Sequence, residues 1–228
     1  MGTLKPISRP GLYAITDSTL TPADQLVSAI EAALRGGAVL VQYRDKTSSR
    51  TERLRQARSL LSVCRNARVP LIINDDVELA RTVGADGVHL GQEDGDITEA
   101  RSRLGEQAII GVTCHASLDL ASAARADGAD YLAFGRFYTS GTKPDAPEAS
   151  PEVLTRARSL GRPLTAIGGV TTENGAELIR AGADMLAVVG GLFSGGPDQI
   201  EHRARAFSQL FATHHPLYPI SSKPGAQP

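Results

Sequence analysis

Gln42, Arg44 and Lys46 alternate along one short run of the chain, Val39 to Lys46. On an extended strand alternate residues share a face, so one amide and two cations point the same way. That set suits an anionic ligand with a polar ring, a phosphate ester above all. Asp75 and Asp94 each follow another apolar run, Leu71–Ile73 and Gly87–Leu90. Two carboxylates at neighbouring strand ends can share a hard cation. Mg²⁺ takes one or two protein carboxylates and completes its shell with water and phosphate oxygens. Both readings have plainer rivals. The first set could be a solvated strand end with a surface ion pair, and an aspartate could simply cap the next helix. Asp76 fits the cap better than Asp75, because it directly precedes Val77-Glu78-Leu79-Ala80.

Gly168-Gly169 and Gly190-Gly191 each precede a polar turn into a helical stretch. Backbone N–H groups at such turns bind phosphate, and glycine lets the anion come close. Ser140, Gly141 and Thr142 offer hydroxyl and backbone donors, and Lys143 adds a point charge. The histidines show no zinc-ligand spacing. His89, within a strand run, reads as a packed side chain. His115, at a strand end, is a candidate for proton transfer, while His214 and His215 read as incidental. No Ser/His/Asp arrangement and no reactive-cysteine arrangement is legible.

These residues must be positioned by a repeated unit of short apolar run, polar turn and helical stretch. The runs are Leu12–Thr16, Val39–Tyr43, Leu71–Ile73, Gly87–Leu90, Ile109–Val112, Tyr131–Phe134, Leu164–Ile167 and Met185–Val189. The helical patterns between and after them are Pro22–Arg35, Thr51–Asn66, Val77–Val83, Ile97–Leu104, Leu118–Ala126, Pro151–Ser159, Glu173–Arg180 and Asp198–Phe211. Thr21-Pro22 and Ser150-Pro151 read as caps followed by a helix-starting proline. Gly-Ala-Asp recurs at 84–86, 128–130 and 182–184, ending a helix just before a strand. Strands alternating with helices imply parallel pairing. Eight units in 228 residues fit a single-domain α/β protein, a closed (β/α)₈ barrel. The rival is an open doubly wound sheet, which lacks support because no GxGxxG turn follows the first run. The expected boundaries are an extension over 1–10, the barrel over 11–212 and a disordered tail over 213–228. In a closed barrel the candidate residues all fall at the C-terminal strand ends, where such folds do their chemistry.

Hydrophobic residues make up 41% of the chain, charged residues 21%, and the formal net charge is −1. No global field invites nucleic acid or an anionic membrane, so an anion must be held by local donors. No apolar run is long enough to span a bilayer. Cys64 and Cys114 lack CxxC spacing, which points to a reducing, cytoplasmic setting. The sequence is compatible with a homo-oligomer and does not specify one.

Taken in order, Gln42-Tyr43-Arg44-Asp45-Lys46, Asn74-Asp75, Gly87-Val88-His89-Leu90-Gly91-Gln92-Glu93-Asp94, Gly111-Val112-Thr113-Cys114-His115, Ser140-Gly141-Thr142-Lys143 and Ala166-Ile167-Gly168-Gly169-Val170 resemble the thiamine phosphate synthase family. The likeness runs from about Leu12 to Phe211. It implies transfer of a hydroxymethylpyrimidine from its diphosphate to a thiazole phosphate, often carboxylated, giving thiamine phosphate, pyrophosphate and, from the carboxylated donor, CO₂. It also implies roles. Gln42, Arg44, Lys46, Asn74, Thr113 and Lys143 would hold the pyrimidine diphosphate. Asp75 and Asp94 would hold Mg²⁺. Ser140, Gly141, Thr142, Gly169, Val189 and Gly190 would hold the thiazole phosphate. Arg44, Lys46 and Lys143 would carry the catalytic charge. The chain departs from the family pattern at Thr113 and Gly190, where serine is usual, and at Arg136 and Thr139, where proline is. A thiazole tautomerase-type isomerase and a non-catalytic thiamine phosphate-binding barrel are the alternatives.

Overall fold

The computed structural model describes residue 7, residues 9–139 and residues 148–217. Its strands are β1 Gly11–Ile15, β2 Leu40–Tyr43, β3 Leu71–Asn74, β4 Gly87–Leu90, β5 Ile109–His115, β6 Tyr131–Phe134, β7 Leu164–Ile167 and β8 Met185–Val188. They pair in parallel in chain order and β8 returns to β1, closing the barrel. The helices are α1 Leu26–Arg35, α2 Arg50–Ala67, α3 Val77–Val83, α4 Ile97–Leu104, α5 Leu118–Ala126, α6 Glu152–Ala157, α7 Gly175–Ala181, α8 Gly190–Phe193 and α9 Pro197–His214. The closed (β/α)₈ barrel, not the open sheet, is therefore the fold.

Strand alternation divides the apolar residues into two cores. Leu12, Val41, Leu71, Val88, Ile110 and Leu132 belong to the larger one, which the helices cover. Tyr13, Leu40, Ile72, Ile109, Tyr131 and Met185 fill the barrel interior. Burial on both faces explains why the strands read as nearly continuous apolar runs. Ser49, Asp76, Asp96 and Ser117 start their helices in the same way, each side chain accepting a backbone N–H three residues on.

The Gly-Ala-Asp repeat has a clear task at the barrel's N-terminal end. Oδ2 of Asp86, Asp130 and Asp184 accepts the first or second amide of the preceding strand, from Leu71, Ile110 and Leu164 respectively, at 2.8 Å each. Each aspartate ties an even strand to the odd one before it. Arg101 adds an ion pair to Asp130 at 2.7 Å.

Several boundaries differ from the sequence expectation, three of them informatively. Regular α1 begins at Leu26 rather than Pro22, because Gln25 and Leu26 both donate to Pro22 O in a preliminary turn. Pro151 takes helical angles, but neither it nor a side-chain cap begins α6, which opens at Glu152. The tail expected from Thr213 does not begin there. α9 runs to His214, and His215 is buried with Nε2 3.1 Å from Asp184 Oδ1. His215 is thus a clasp on the same aspartate that caps Leu164, not an incidental residue. Residues 218–228 of the expected tail and 1–6 and 8 of the expected extension lie outside the described residues. No helix among the described residues is long and apolar enough to cross a membrane.

One interior side chain is poorly served. Thr165 on β7 is fully buried, and its hydroxyl has no hydrogen-bond partner among the described residues. An unpaired buried hydroxyl costs about 1–3 kcal/mol. Thr165→Val keeps the shape and removes that cost. The melting temperature should rise by roughly 2–4 °C per kcal/mol gained, which calorimetry reads directly; a fall would mean that the hydroxyl is satisfied.

Candidate active site

The ends of β1 and β2 are clamped together. Thr16, 1% exposed, donates its N–H to Gln42 O, and its hydroxyl accepts Arg44 N–H at 2.8 Å. The Arg44 guanidinium then lies 3.6 Å from Asp17 Oδ2. Asp17 is itself fixed, its Oδ1 accepting Thr19 N–H at 3.0 Å. Lys46, one pleat further, reaches Asp75 Oδ2 at 3.1 Å. The chain bends at Lys46 beyond the end of β2, and Arg44 and Lys46 reach the loops after β1 and β3 respectively, which brings both cations to the mouth.

Asp75 and Asp94 come together, as two neighbouring strand ends allow. Asp75 has a left-handed backbone, φ 63°, and its N–H donates to His89 O at 2.9 Å. Such a conformation is costly for a non-glycine residue and typical of functional sites. Asp94 is anchored by Gly91, whose N–H donates to its Oδ2 at 2.9 Å. Burial pushes the Asp75 carboxyl above the usual aspartate range, contact with Asp94 pushes it further, and Lys46 only partly opposes this. The helix cap is Asp76, whose Oδ1 accepts Leu79 N–H, so Asp75 is free of that duty. Among the described residues no three His, Cys, Asp or Glu side chains form a metal cage. A pair of carboxylates short of countercharge is the donor set that Mg²⁺ uses when substrate phosphates supply the rest.

Asn74 ends β3 with His89 as its cross-strand partner. Gln42, 2% exposed, donates from Nε2 to the Tyr13 hydroxyl at 2.5 Å. Thr113 Oγ1 lies 2.9 Å from His89 Nε2. Between them, the Tyr13 and Tyr131 hydroxyls are 2.7 Å apart, and Tyr131 Oη is 2.9 Å from His89 Nδ1. Sequence reasoning missed both tyrosines. It also read His89 as merely packed, whereas both ring nitrogens are hydrogen-bonded. A usable signal was Gly111, two residues before Thr113, where a Cβ would sit 1.8 Å from the Tyr131 ring.

On the opposite side, Gly168 and Gly169 have φ of 99° and 64°, and a Cβ on Gly169 would strike Thr139 O at 2.5 Å. Asn174 holds this turn, donating to Gly169 O and accepting Thr171 N–H. Gly190 opens the one-turn α8 directly after Val189. Gly191 has no room for a side chain, since Val170 O lies 2.5 Å from its Cβ position, but among the described residues Gly190 faces only Leu20 Cδ1 at 3.9 Å. Ser140, Gly141, Thr142 and Lys143 lie outside the described residues. His115 stands at the rim, with φ 51°, where the β5–β6 register shifts. Cys64 and Cys114 are buried free thiols whose pKa values burial pushes up to about 12, which disfavours the thiolate form.

Comparison with known proteins gives the family and the fold. Residues 12–192 match the family model described as thiamine monophosphate synthase. The chain is 64% identical over 221 residues to the thiamine-phosphate synthase of Marinobacter nauticus, covering 97% of this chain and 100% of that one. Among solved structures, the thiamine phosphate pyrophosphorylase of Pyrococcus furiosus superposes with a TM-score of 0.80 at 30% identity, covering 89% of this chain and 96% of that one. A thiamine phosphate pyrophosphorylase from Bacteroides thetaiotaomicron, with a TM-score of 0.64 and 16% identity over 90% of this chain and 99% of its own, shares the fold.

The raised Asp75 carboxyl has a consequence for stability. A group whose pKa is higher in the folded state supports folding below its unfolded pKa, and that support is lost as pH rises through the folded value. At neutral pH the charged Asp75 therefore burdens the metal-free fold. Asp75→Asn should melt a few degrees above the parent at pH 7 without divalent ions. The gap should close as pH falls into the ordinary carboxylate range. A lower melting temperature at pH 7 would show that the Lys46 ion pair outweighs burial and repulsion.

Proposed function

The chain belongs to the thiamine monophosphate synthase family and is a transferase with thiamine-phosphate synthase activity, and from that premise we propose which of its residues carry the reaction. The observation that supports the assignment best is the meeting of Asp75 and Asp94 at one rim, with Lys46 on Asp75 and Arg44 held nearby on the same strand extension. Gln42, Asn74 and Thr113 hold the pyrimidine. Arg44, Lys46 and Lys143 hold its diphosphate. Ser140, Gly141 and Thr142, with Gly169 and the Val189-Gly190 backbone, hold the thiazole phosphate. Asp75 and Asp94 hold Mg²⁺, which when bound supplies Lewis-acid neutralisation of phosphate charge.

The C–O bond at the pyrimidine methylene breaks and its electron pair leaves on pyrophosphate. Arg44, Lys46 and Lys143 stabilise that charge as it develops. The resulting cation is delocalised over the aminopyrimidine, and the thiazole nitrogen forms the new C–N bond. The thiazole is its own nucleophile, so the chain needs no activated serine or cysteine. Its residues act by positioning and by fixed charge. Rejection of water falls to the same rim, because the intermediate cation must meet nitrogen first. A cytoplasmic setting suits two buried, reduced thiols. The isomerase and binding-only alternatives have no use for cations aimed at a departing diphosphate.

Purified protein mixed with pyrimidine diphosphate, thiazole phosphate and Mg²⁺ should release pyrophosphate, and a chelator should stop it. Asp75→Ala should abolish turnover, while full activity in that variant would remove the metal assignment. Lys46→Ala should lower kcat by about 10²–10³, as loss of one transition-state donor typically does. Gly190→Ser should fold normally, given the space left at that position among the described residues, and should lower KM for thiazole phosphate by roughly the tenfold that one added hydrogen bond provides. An unchanged KM would show that backbone donors alone serve there.

A further inference from the structure

Four hydrogen bonds join Gln42, Tyr13, Tyr131, His89 and Thr113 across the barrel interior, linking β2, β1, β6, β4 and β5. Gln42, Tyr13 and Tyr131 are at most 2% exposed and His89 is 8% exposed. The chain has a direction. Gln42 Nε2 donates to Tyr13 Oη, so the single Tyr13 proton goes to its other neighbour, Tyr131 Oη at 2.7 Å. The Tyr131 proton then goes to His89 Nδ1 at 2.9 Å. With Nδ1 accepting, the neutral imidazole carries its proton on Nε2 and donates it to Thr113 Oγ1 at 2.9 Å. Burial pushes both tyrosine hydroxyls well above their ordinary pKa, so neither loses the proton that the chain requires. The rings are fixed as well as the protons. Tyr131 stacks on His89 with centroids 5.5 Å apart, meets Tyr13 edge-on at 5.8 Å, and occupies the space that Gly111 leaves.

We propose that Tyr131 and His89 are positioning residues that set the hydrogen-bond polarity of the pyrimidine site, making Gln42 Oε1 an acceptor and the Thr113 hydroxyl a donor. The proposal rests on the assignment of Gln42 and Thr113 to the pyrimidine made above. An aminopyrimidine edge carries an amino N–H donor beside a ring-nitrogen acceptor, the complement of that pair. An oxo analogue reverses both atoms and meets acceptor with acceptor and donor with donor. Because one chain connects the two ends, neither can change character without the other. That makes the chain a specificity device as well as a scaffold.

A long-range ¹H–¹⁵N correlation spectrum of the full-length protein reads the His89 tautomer. The expected form is Nε2–H; a dominant Nδ1–H form reverses the chain and overturns the proposal. Tyr131→Phe keeps the ring and removes the link. It should raise KM for pyrimidine diphosphate about tenfold, the effect of one lost buried hydrogen bond. KM for thiazole phosphate should stay within about twofold. The parent should prefer the amino over the oxo diphosphate by at least about 10², as sites that hydrogen-bond a substrate group do, and Tyr131→Phe should cut that ratio at least tenfold. Unchanged KM and ratio overturn the proposal. If Tyr131→Phe does not fold, Tyr13→Phe breaks the same chain one link earlier, and the parent's tautomer remains decisive. Gln42→Ala and Thr113→Ala separate the two levels. If both leave KM for pyrimidine diphosphate unchanged, the site assignment fails whatever the tautomer. If both raise it while Tyr131→Phe does not, only the proposal fails.

Discussion

Two carboxylates held against each other, Asp75 half-buried and Asp94 exposed, are the constraint on which the rest of this structure depends. Asp75 and Asp94 repel, and burial makes the Asp75 charge harder to keep. Lys46 offers limited relief, because its side chain is 56% exposed and water screens the pair. What holds the pair is backbone. Asp75 is fixed by a left-handed residue tied to β4 through His89 O, and Asp94 by the Gly91 amide. The Asp75 anchor requires correct registry between β3 and β4, whereas the Asp94 anchor is local to the loop after β4. The barrel must therefore be stiff enough to oppose a local electrostatic cost, and closure around all eight strands supplies that stiffness.

The two ends of the barrel use one residue type in opposite ways. At the N-terminal end, Asp86, Asp130 and Asp184 each accept a backbone amide, and partners such as Arg101 and His215 sit beside two of them. Their charge is satisfied within the protein. At the C-terminal end, Asp75 and Asp94 face one another and their charge is left for something else to satisfy. This separation matches the general division of such barrels into a stability face and a functional face. It also explains why the Gly-Ala-Asp repeat, prominent in the sequence, takes no part in the site.

Much of this was legible from residue order, because strand and helix periods are local. β4, β6 and β7 begin and end where their apolar runs do; Gln42, Arg44 and Lys46 were singled out by counting alternate residues, and Asp75 and Asp94 by following the apolar runs of β3 and β4. Asp76 was separable from Asp75 because a cap must precede its helix directly. The failures were of non-local origin. His215 belongs to the fold through Asp184, 31 residues away, and a Pro- and Ser-rich sequence just beyond it masked that tie. α8 is a single turn, too short for any periodic signal. Tyr13 and Tyr131 lie 118 residues apart in apolar runs, where a tyrosine reads as bulk. Nothing within either strand reveals that their hydroxyls meet.

That last failure has a physical reason bearing on how a barrel can do chemistry. An interior filled only by aliphatic side chains would pack well but could transmit nothing between strands except shape. Replacing part of that layer with a connected set of hydroxyl, amide and imidazole groups is favourable only if the donors within the set find acceptors, since an incomplete buried network costs more than an apolar one. Completeness in turn imposes direction, because each hydroxyl has one proton to give. An enzyme that relies on positioning, with no nucleophile of its own, gains from such direction. Its substrate must be held by atoms whose donor or acceptor character does not fluctuate while a cation forms beside them. Exposed side chains rotate and exchange partners with water, whereas Gln42 and Thr113 are each bonded to a buried neighbour. The mouth of the barrel takes its order from the packed layer beneath it, and so the apolar interior and the polar rim form one functional unit.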